Sequence, residues 1–345
     1  MKRSMTFKFN SETIATVVLF IFLIVYPFVS SEYRALNMAS FIAQMIFASS
    51  VLLIWGYCGI FSFGQTIFYG FAGYTYAILL KNLGSAAYTP LAMVAGIVVA
   101  VIVALVLGYF MFYGGINDMF VGLVTMCVTM TLNTFMAQTA NEKWRIGSAA
   151  LGGYNGINQV PMLTIGAHKL SGFEFYAFVL ISFAAIFFAL KKISTTRAGY
   201  TMIAVRDNRH RTQLLGYNTQ LIQVIVFAAG AAIAAFAGIL YSAWGNYVGI
   251  KMFDLQTATI PVMLVAAGGK RNPAAVFAFS LLYLNLSQRM SVAGNQYALI
   301  LQGLLMIVVM LFLPDGIFGT LFRFLDKHIF DKLKINNRNR ERSAE

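Results

Sequence analysis

An all-α bundle of membrane-spanning helices is the fold that the sequence predicts, with about eight to ten spans and both termini on the cytoplasmic side. The chain has 345 residues, of which 59% are hydrophobic and only 11% are charged, whereas a soluble domain averages roughly 25% charged residues. Two long segments, Ala35 to Leu80 and Thr212 to Ile250, contain no Lys, Arg, Asp or Glu. Because a charge at the bilayer centre costs about 2.5–3.5 kcal/mol, these segments indicate a chain that crosses the membrane repeatedly.

The individual helices follow from the apolar runs, since about 20 residues cross the roughly 30 Å hydrocarbon core. Lys2 and Arg3 precede the first run, as in a signal peptide, but no Ala-x-Ala site follows, which favours an uncleaved first span. The helices over 256–269 and 274–288 are short enough to be tilted, re-entrant or broken. The ten predicted helices cover residues 12–30, 36–55, 63–80, 90–113, 119–139, 173–190, 221–243, 256–269, 274–288 and 297–313.

The orientation follows from the basic residues, because cytoplasmic loops carry an excess of Lys and Arg. The N-terminal segment, the loop over residues 191–211 and the tail from Arg323 are all basic, so we place them in the cytoplasm. Residues 140–172 carry few basic residues and are expected on the outer side. We predict one membrane domain over residues 1–335, followed by a disordered polar tail at 336–345.

Several classes of protein are disfavoured by composition. The net charge of +13 does not indicate nucleic-acid binding, because the basic residues lie between apolar runs and in the tail, without a nucleic-acid-binding motif. Cys58 and Cys127 give neither a disulfide framework nor metal-ligand spacing, and the three histidines are isolated from one another. We therefore predict no catalytic residue, no metal site and no cofactor bound by this chain.

A glycine-rich motif joins the second and third predicted helices: Gly56-Tyr-Cys-Gly59-Ile-Phe-Ser62-Phe-Gly64-Gln65. Glycine is unfavourable inside a helix, and discontinuous helices build substrate sites in other transporters. One interpretation is therefore a broken helix at a substrate site. The other is that the glycines permit close helix packing while the polar side chains hydrogen-bond between helices.

A second motif occupies the predicted outer segment, from Gly147 to Pro161, and includes Gly152, Gly153, Asn155 and Gly156. Such a density of Gly and Asn indicates specific turns. The segment is either an outward-facing gate or docking surface, or a plain connector.

A third motif lies in the basic cytoplasmic loop, between Ala198 and Asn218. Apolar residues flank a strongly charged turn at Arg206-Asp207, and Gly216 can end a short helix. The loop is either a short helix that docks a soluble partner or a solvated positive-inside loop.

Two further patterns have simpler interpretations. Small residues at Gly230, Ala234, Gly238 and Ser242 recur every fourth position in one apolar helix, which predicts close helix packing. Gly268-Gly269-Lys270-Arg271-Asn272-Pro273 lacks the spacing of a phosphate loop, so we interpret it as a cytoplasmic turn between two helices.

Taken in order, these motifs resemble the permease subunits of the branched-chain amino acid ABC importers, particularly the LivM branch, over roughly residues 40–320. The run from Gly56 to Tyr74 is similar to the family's Gly-x-x-Gly-x-x-Ser-x-Gly-Gln segment, and Gly199 to Gly216 resembles its coupling loop. The outer Gly-Gly run, the Gly268-Gly269 pair and Pro314-Asp315-Gly316-x-x-Gly319 also match.

The chain departs from this family pattern at two places. Asn208-Arg209-His210-Arg211 stands where the coupling loop is usually acidic and Ala-rich. Lys270-Arg271-Asn272-Pro273 stands where small residues usually follow the Gly-Gly turn.

The resemblance implies a multi-pass permease subunit of the inner (plasma) membrane. The solute would be a branched-chain or other hydrophobic amino acid, or a small amide, since urea and amide permeases share the family. The implied partners are a second, LivH-like permease, two ATPase subunits that hydrolyse ATP, and an external solute-binding protein. The residues expected to act are Ser62, Gly64 and Gln65 in the solute pathway, Ala204, Arg206, Asp207 and Gly216 in ATPase coupling, and Gly152, Gly153, Asn155 and Gly156 in the outer loop.

Two rival classes are weighed against this one. A self-sufficient secondary transporter or channel is the first, but ion-coupled carriers usually place Asp, Glu or His within the membrane. Here Asp118, Glu174 and Arg289 sit at the edges of predicted spans. A membrane enzyme is the second, and the carboxylate or histidine clusters that it needs are missing from the sequence.

Overall fold

A computed structural model of the chain describes residues 11–166, 168–292 and 316–326, together with a few positions between 300 and 313. In this described part the chain is mainly α-helical, and its two-residue strands pair only in twos. The predicted all-α polytopic helical bundle is therefore confirmed. The predicted tail at 336–345 lies outside the described residues, as do Lys2, Arg3, Lys8, Pro314, Asp315 and most of the helix expected over 297–313.

Nine of the predicted helices are present, with ends within about one turn of the predicted ones. Two short helices lie in the basic loop, for which one short helix was one of two interpretations, and a further short helix after residue 316 was not predicted. The helices are α1 (Ser11–Val29), α2 (Glu32–Val51), α3 (Gln65–Leu83), α4 (Thr89–Tyr113), α5 (Asp118–Gln138), α6 (Gly172–Ile193), α7 (Arg197–Asp207), α8 (Arg209–Leu214), α9 (Thr219–Gly245), α10 (Leu255–Gly268), α11 (Pro273–Val292) and α12 (Ile317–Leu325). The strands are β1 (Arg145–Ile146), β2 (Ala149–Ala150), β3 (Ile157–Asn158), β4 (Thr164–Ile165), β5 (His168–Lys169) and β6 (Tyr247–Val248), paired β1–β2, β3–β6 and β4–β5.

Six helices in the described part are long and apolar enough to cross a membrane, namely α1, α2 with its extension to Tyr57, α4, α5, α6 and α9. Among the other predicted spans, α10 has only 14 residues, and α3 and α11 are less apolar. In α3 the cause is its polar and glycine content, which suits a helix that packs inside protein rather than against lipid.

The chain forms two compact units, and the larger one comprises Ser30–Met263. Its core is the mutual packing of α2, α3, α4 and α9, with α6 against α2. The span of α2 is 89% buried, whereas that of α4 is 28% buried. Apolar side chains on α4 such as Val94 and Ile102 are exposed and suit contact with lipid.

The small-residue stripe of α9 has the packing role that the sequence predicts. Gly230, Ala234, Gly238 and Ser242 are buried. A β-carbon at Gly230 would meet Ile54, and the Ser242 hydroxyl donates a 2.7 Å hydrogen bond to the Gly238 carbonyl. Small side chains thus let α9 lie directly against its neighbours.

The smaller unit comprises residues 1–29 and 264–345. The backbone N–H of Ser11, where α1 begins, donates a 2.9 Å hydrogen bond to Oδ1 of Asp326, just after α12. Gly269, in the turn between α10 and α11, and Asp326 line the same small cavity. The start of α1, the Gly-Gly turn and the end of α12 therefore lie at one end of this unit, as expected if all three face the cytoplasm.

Candidate functional site

The motif from Gly56 to Gln65 forms a connection between α2 and α3 that is buried, unlike most loops. The second helix continues as a six-residue π-helix, Leu52–Tyr57. The π-helix is rare in proteins, but where it does occur it often lies at a functional site. Gly59 then has φ of +81°, a conformation that glycine adopts readily. Because Glu32–Tyr57 spans 26 residues, the helix is interrupted at the end of a full crossing, not halfway along it.

Both interpretations of this motif describe part of the structure. The helix is interrupted between Cys58 and Gly64, and glycines further along α3 allow close packing. A β-carbon at Gly70 would overlap the ring of Phe253, and one at Gly73 would meet Ser242 and Met252.

The loop predicted to face the cytoplasm lies directly against this connection. Nη1 of Arg206, in α7, donates a 2.7 Å hydrogen bond to the backbone carbonyl of Gly56. A β-carbon at Gly59 would lie 2.8 Å from Cγ of Arg206. Asp207 pairs with the same guanidinium at 3.0 Å, but its own side chain is 61% exposed, against 20% for Arg206. Arg206 therefore faces the core helices and Asp207 faces solvent.

Ser62 anchors the connection from the opposite side. Its hydroxyl lies 3.2 Å from the Thr125 hydroxyl on α5 and accepts a 2.9 Å hydrogen bond from the Gly64 N–H. Gly64 packs against Thr125, where a β-carbon would come within 2.9 Å of the threonine Cβ. The predicted pathway residues Ser62 and Gly64 thus lie in a closely bonded contact between helices.

Gln65 differs from these two neighbours. It is the first residue of α3 and is 1% exposed. Neither polar atom of its side chain has a hydrogen-bond partner, and its Oε1 lies near Gly230 on α9, 3.4 Å from where a β-carbon at Gly230 would be. A buried amide without partners costs free energy, so a site that retains one is a candidate for transient contact with a solute or water.

The segment predicted to be cytoplasmic, residues 197–217, consists of two short helices, α7 and α8, with defined ends. The Thr196 side chain caps α7, and the Asn208 side chain caps α8 by accepting a 2.8 Å hydrogen bond from the Arg211 N–H. Ala204 is half-buried on α7, and Gly216, with φ of +87°, follows α8 in open space. Tyr200, Leu214, Leu215 and Tyr217 are exposed. The segment is therefore folded as short helices with apolar side chains at its surface.

The outer glycine-rich segment is built from turns, as its composition predicts. Gly152, Gly153 and Gly156 all have positive φ, and Gly153 and Asn155 belong to one 3₁₀ turn. A β-carbon at Gly156 would overlap the carbonyl of Val248. The backbone that follows, β3, pairs with β6 beyond α9, with Ile157 opposite Val248.

Two contacts at these sites were missed by reasoning from the sequence. Thr125 lies in the middle of an apolar run, and nothing in its spacing indicates the contact with Ser62. The segment after α9 begins with Asn246-Tyr-Val-Gly249, and its Asn and Gly could have signalled an ordered turn. Asn246 indeed has φ of +49°.

A bundle with six helices long and apolar enough to span a membrane, within the described residues, defines a multi-pass membrane protein. Residues 34–310 match the model of the family described as branched-chain amino acid transport system / permease component, so the chain belongs to that family. This result confirms the resemblance drawn from the motifs.

Individual relatives agree with this assignment. The chain is 22% identical over 325 residues to the high-affinity branched-chain amino acid transport system permease protein LivM of Escherichia coli K12, covering 87% of this chain and 73% of the relative. It is 25% identical over 181 residues to a probable LivM of Methanocaldococcus jannaschii, covering 48% and 52% of the two chains. It is 29% identical over 146 residues to LivH of Escherichia coli K12, covering 41% and 46%. No solved structure matches significantly.

Proposed function

We propose that this chain is a permease subunit of an inner-membrane ABC importer that moves a hydrophobic amino acid or a small amide. The observation that carries the mechanism is the hydrogen bond from Arg206 to the Gly56 carbonyl. It joins α7 to the connection between α2 and α3, which are core helices of the larger unit. A push on α7 from the cytoplasm would thus reach the core through a single side chain.

The push would come from ATPase subunits docked on the cytoplasmic segment. Its exposed Tyr200, Leu214, Leu215 and Tyr217 provide the apolar contacts that interface cores favour. The basic turn at Arg209 and Arg211 would favour an acidic partner surface. This chain would bind no cofactor itself, because ATP would be hydrolysed in those subunits.

The other partners and the solute follow from the relatives. Their names include both LivM and LivH, which supports a second permease chain beside this one. An external solute-binding protein would deliver the solute to the outer segment. The pathway would run past Gln65, whose unbonded amide can exchange hydrogen bonds with a passing solute.

Purification of the tagged chain in mild detergent from its native membrane tests this proposal, with mass spectrometry of the co-purifying proteins. We expect a second permease and ATPases, and solute uptake into proteoliposomes that requires ATP. The double variant Arg206→Ala/Asp207→Ala should retain the assembly but lose most uptake. An active chain recovered alone, with uptake independent of ATP, would instead identify a secondary carrier or channel.

A further inference from the structure

A half-open cavity of about 330 Å³ lies in the larger unit beside the segment that follows α9. Because α9 starts at the cytoplasmic segment and crosses once, this cavity lies towards the outer side. The neighbouring strand β6 pairs with β3 of the outer glycine-rich segment, which agrees with that position. Its lining includes the side chains of Gln44, Phe47, Tyr69, Tyr241, Lys251 and Ile260.

Four of the ten residues that line the cavity are aromatic, namely Phe47, Tyr69, Tyr241 and Tyr247. The rings of Phe47 and Tyr69 are stacked, with centroids 4.4 Å apart, and Tyr241 lies 6.0 Å from Tyr69. Ile260 adds an aliphatic surface. Small-molecule sites typically combine such an apolar wall with a few placed polar groups, and volumes of about 300 Å³ suit small ligands.

Two polar groups at the cavity lack partners. Oε1 of Gln44 is buried and has no hydrogen-bond partner. Lys251 is exposed, and no carboxylate of the described residues forms an ion pair with it. The backbone at Lys251 is nevertheless held in place, because its carbonyl accepts a 2.7 Å hydrogen bond from the Thr257 hydroxyl. A cation and a buried acceptor are therefore both available to a ligand.

We propose that this cavity binds the solute inside the permease, and that the solute is an apolar amino acid rather than urea or a short amide. Lys251 would pair with the carboxylate of the amino acid. The Gln44 carbonyl and the aromatic faces would receive its ammonium group, as aromatic rings attract cations. The apolar side chain would lie against Phe47 and Ile260. Urea and short amides carry no charge for Lys251 to bind, and this inference rests on the proposed transport function.

The test is equilibrium binding of radiolabelled L-leucine to the purified complex, without any solute-binding protein. Unlabelled L-phenylalanine should compete with L-leucine. Leucinamide, 4-methylpentanoic acid and urea should compete at least about tenfold less well, because each lacks one or both of the charges. Lys251→Gln should weaken L-leucine binding by about tenfold and remove the preference over leucinamide. Lys251→Arg should keep most affinity, and Gln44→Leu should weaken binding with the carboxylate preference intact.

Lys169→Gln is the matched control, since Lys169 is also an exposed lysine of the outer side but does not line the cavity. It should leave binding unchanged. Equal affinity of wild type and Lys251→Gln for L-leucine would overturn the inference, and so would equal competition by leucinamide in the wild type. Either result alongside ATP-dependent uptake would leave the proposed function intact. Uptake that needs no ATPase would overturn the proposed function while leaving the binding data interpretable.

Discussion

The backbone of Gly238 on α9 lies against the backbone of Tyr69 on α3 so closely that a β-carbon at Gly238 would overlap the Tyr69 carbonyl oxygen. No side chain can yield here, because both partners in the contact are main chain. The two helices therefore depend on the absence of one methyl group at this position.

Gly238→Ala should separate α9 from α3 and destabilise the protein by about 1–3 kcal/mol. The measurement is the temperature at which half of the detergent-solubilised protein is lost from its size-exclusion peak. Gly245→Ala is the control on the same helix, because no heavy atom lies within 4 Å of a β-carbon there. It should be neutral or slightly stabilising, since Ala favours helix over Gly by about 1 kcal/mol. Equal losses in both variants would contradict the contact.

Arg206→Ala should uncouple ATP hydrolysis from uptake, because it removes the bond between α7 and the Gly56 carbonyl. In proteoliposomes we expect uptake per ATP hydrolysed to fall by about fivefold or more. Lys192→Ala removes an exposed positive charge at the cytoplasmic end of α6 and should leave this ratio unchanged. A fall of the same size in both variants would point to general charge effects instead.

Ser62→Ala should cost about 1–3 kcal/mol of stability, because it leaves the buried Gly64 N–H without its acceptor. A double-mutant cycle with Thr125→Val should give an interaction energy of about 0.5–3 kcal/mol, since the two hydroxyls lie 3.2 Å apart. Ser182→Ala, which removes only a bond to the carbonyl one turn earlier, should cost less. Strict additivity in the cycle would show that the two hydroxyls do not interact.

Gln65→Leu should lower transport without lowering stability. Removing a buried amide without partners should leave the thermal stability unchanged or raise it by about 1 kcal/mol. If the amide contacts the passing solute, uptake should nevertheless fall severalfold, and we expect that combination. Gln138→Leu at the exposed end of α5 should alter neither quantity. Full uptake in Gln65→Leu would remove Gln65 from the pathway.

Cysteines at Asn158 and Tyr247 should form a disulfide, because these residues face each other across β3 and β6 and paired strands bring their α-carbons within bridging distance. The exposed Cys127 should first be changed to Ser.

A membrane-impermeant maleimide added outside intact cells should label a single cysteine introduced at Asn158 but not one introduced at Leu215. Labelling in the opposite sense would reverse the orientation.

The sequence predicted most of the helices because lipid imposes a simple rule, in which long uncharged runs become spans. The same rule does not predict which helices contact one another. The contact between Arg206 and Gly56 joins residues 150 positions apart, and it depends on the path of the chain through several crossings. The glycine-rich motif left close packing open as one interpretation, but it did not indicate that the side chain of Arg206 lies against Gly59.

The predicted roles of Ser62 and Gln65 illustrate a second limit. Both are polar residues of one motif, so composition treats them alike. In the structure Ser62 is fully bonded and Gln65 is not. Only the positions of Thr125 and the Gly64 N–H separate a structural hydroxyl from a candidate pathway amide.

The bond between Ser11 and Asp326 joins positions 315 residues apart, and this separation bears on biogenesis. At roughly 5–20 residues per second, a ribosome completes α12 on the order of tens of seconds after α1 has emerged. For most of that interval α1 cannot contact α11 or α12, against which it packs in the finished unit, because neither has yet been synthesised. Its surface is rich in Ile, Val and Phe, so lipid can solvate α1 until α11 and α12 have been made. Assembly of the smaller unit is thus a late event, completed only after Asp326 has been synthesised.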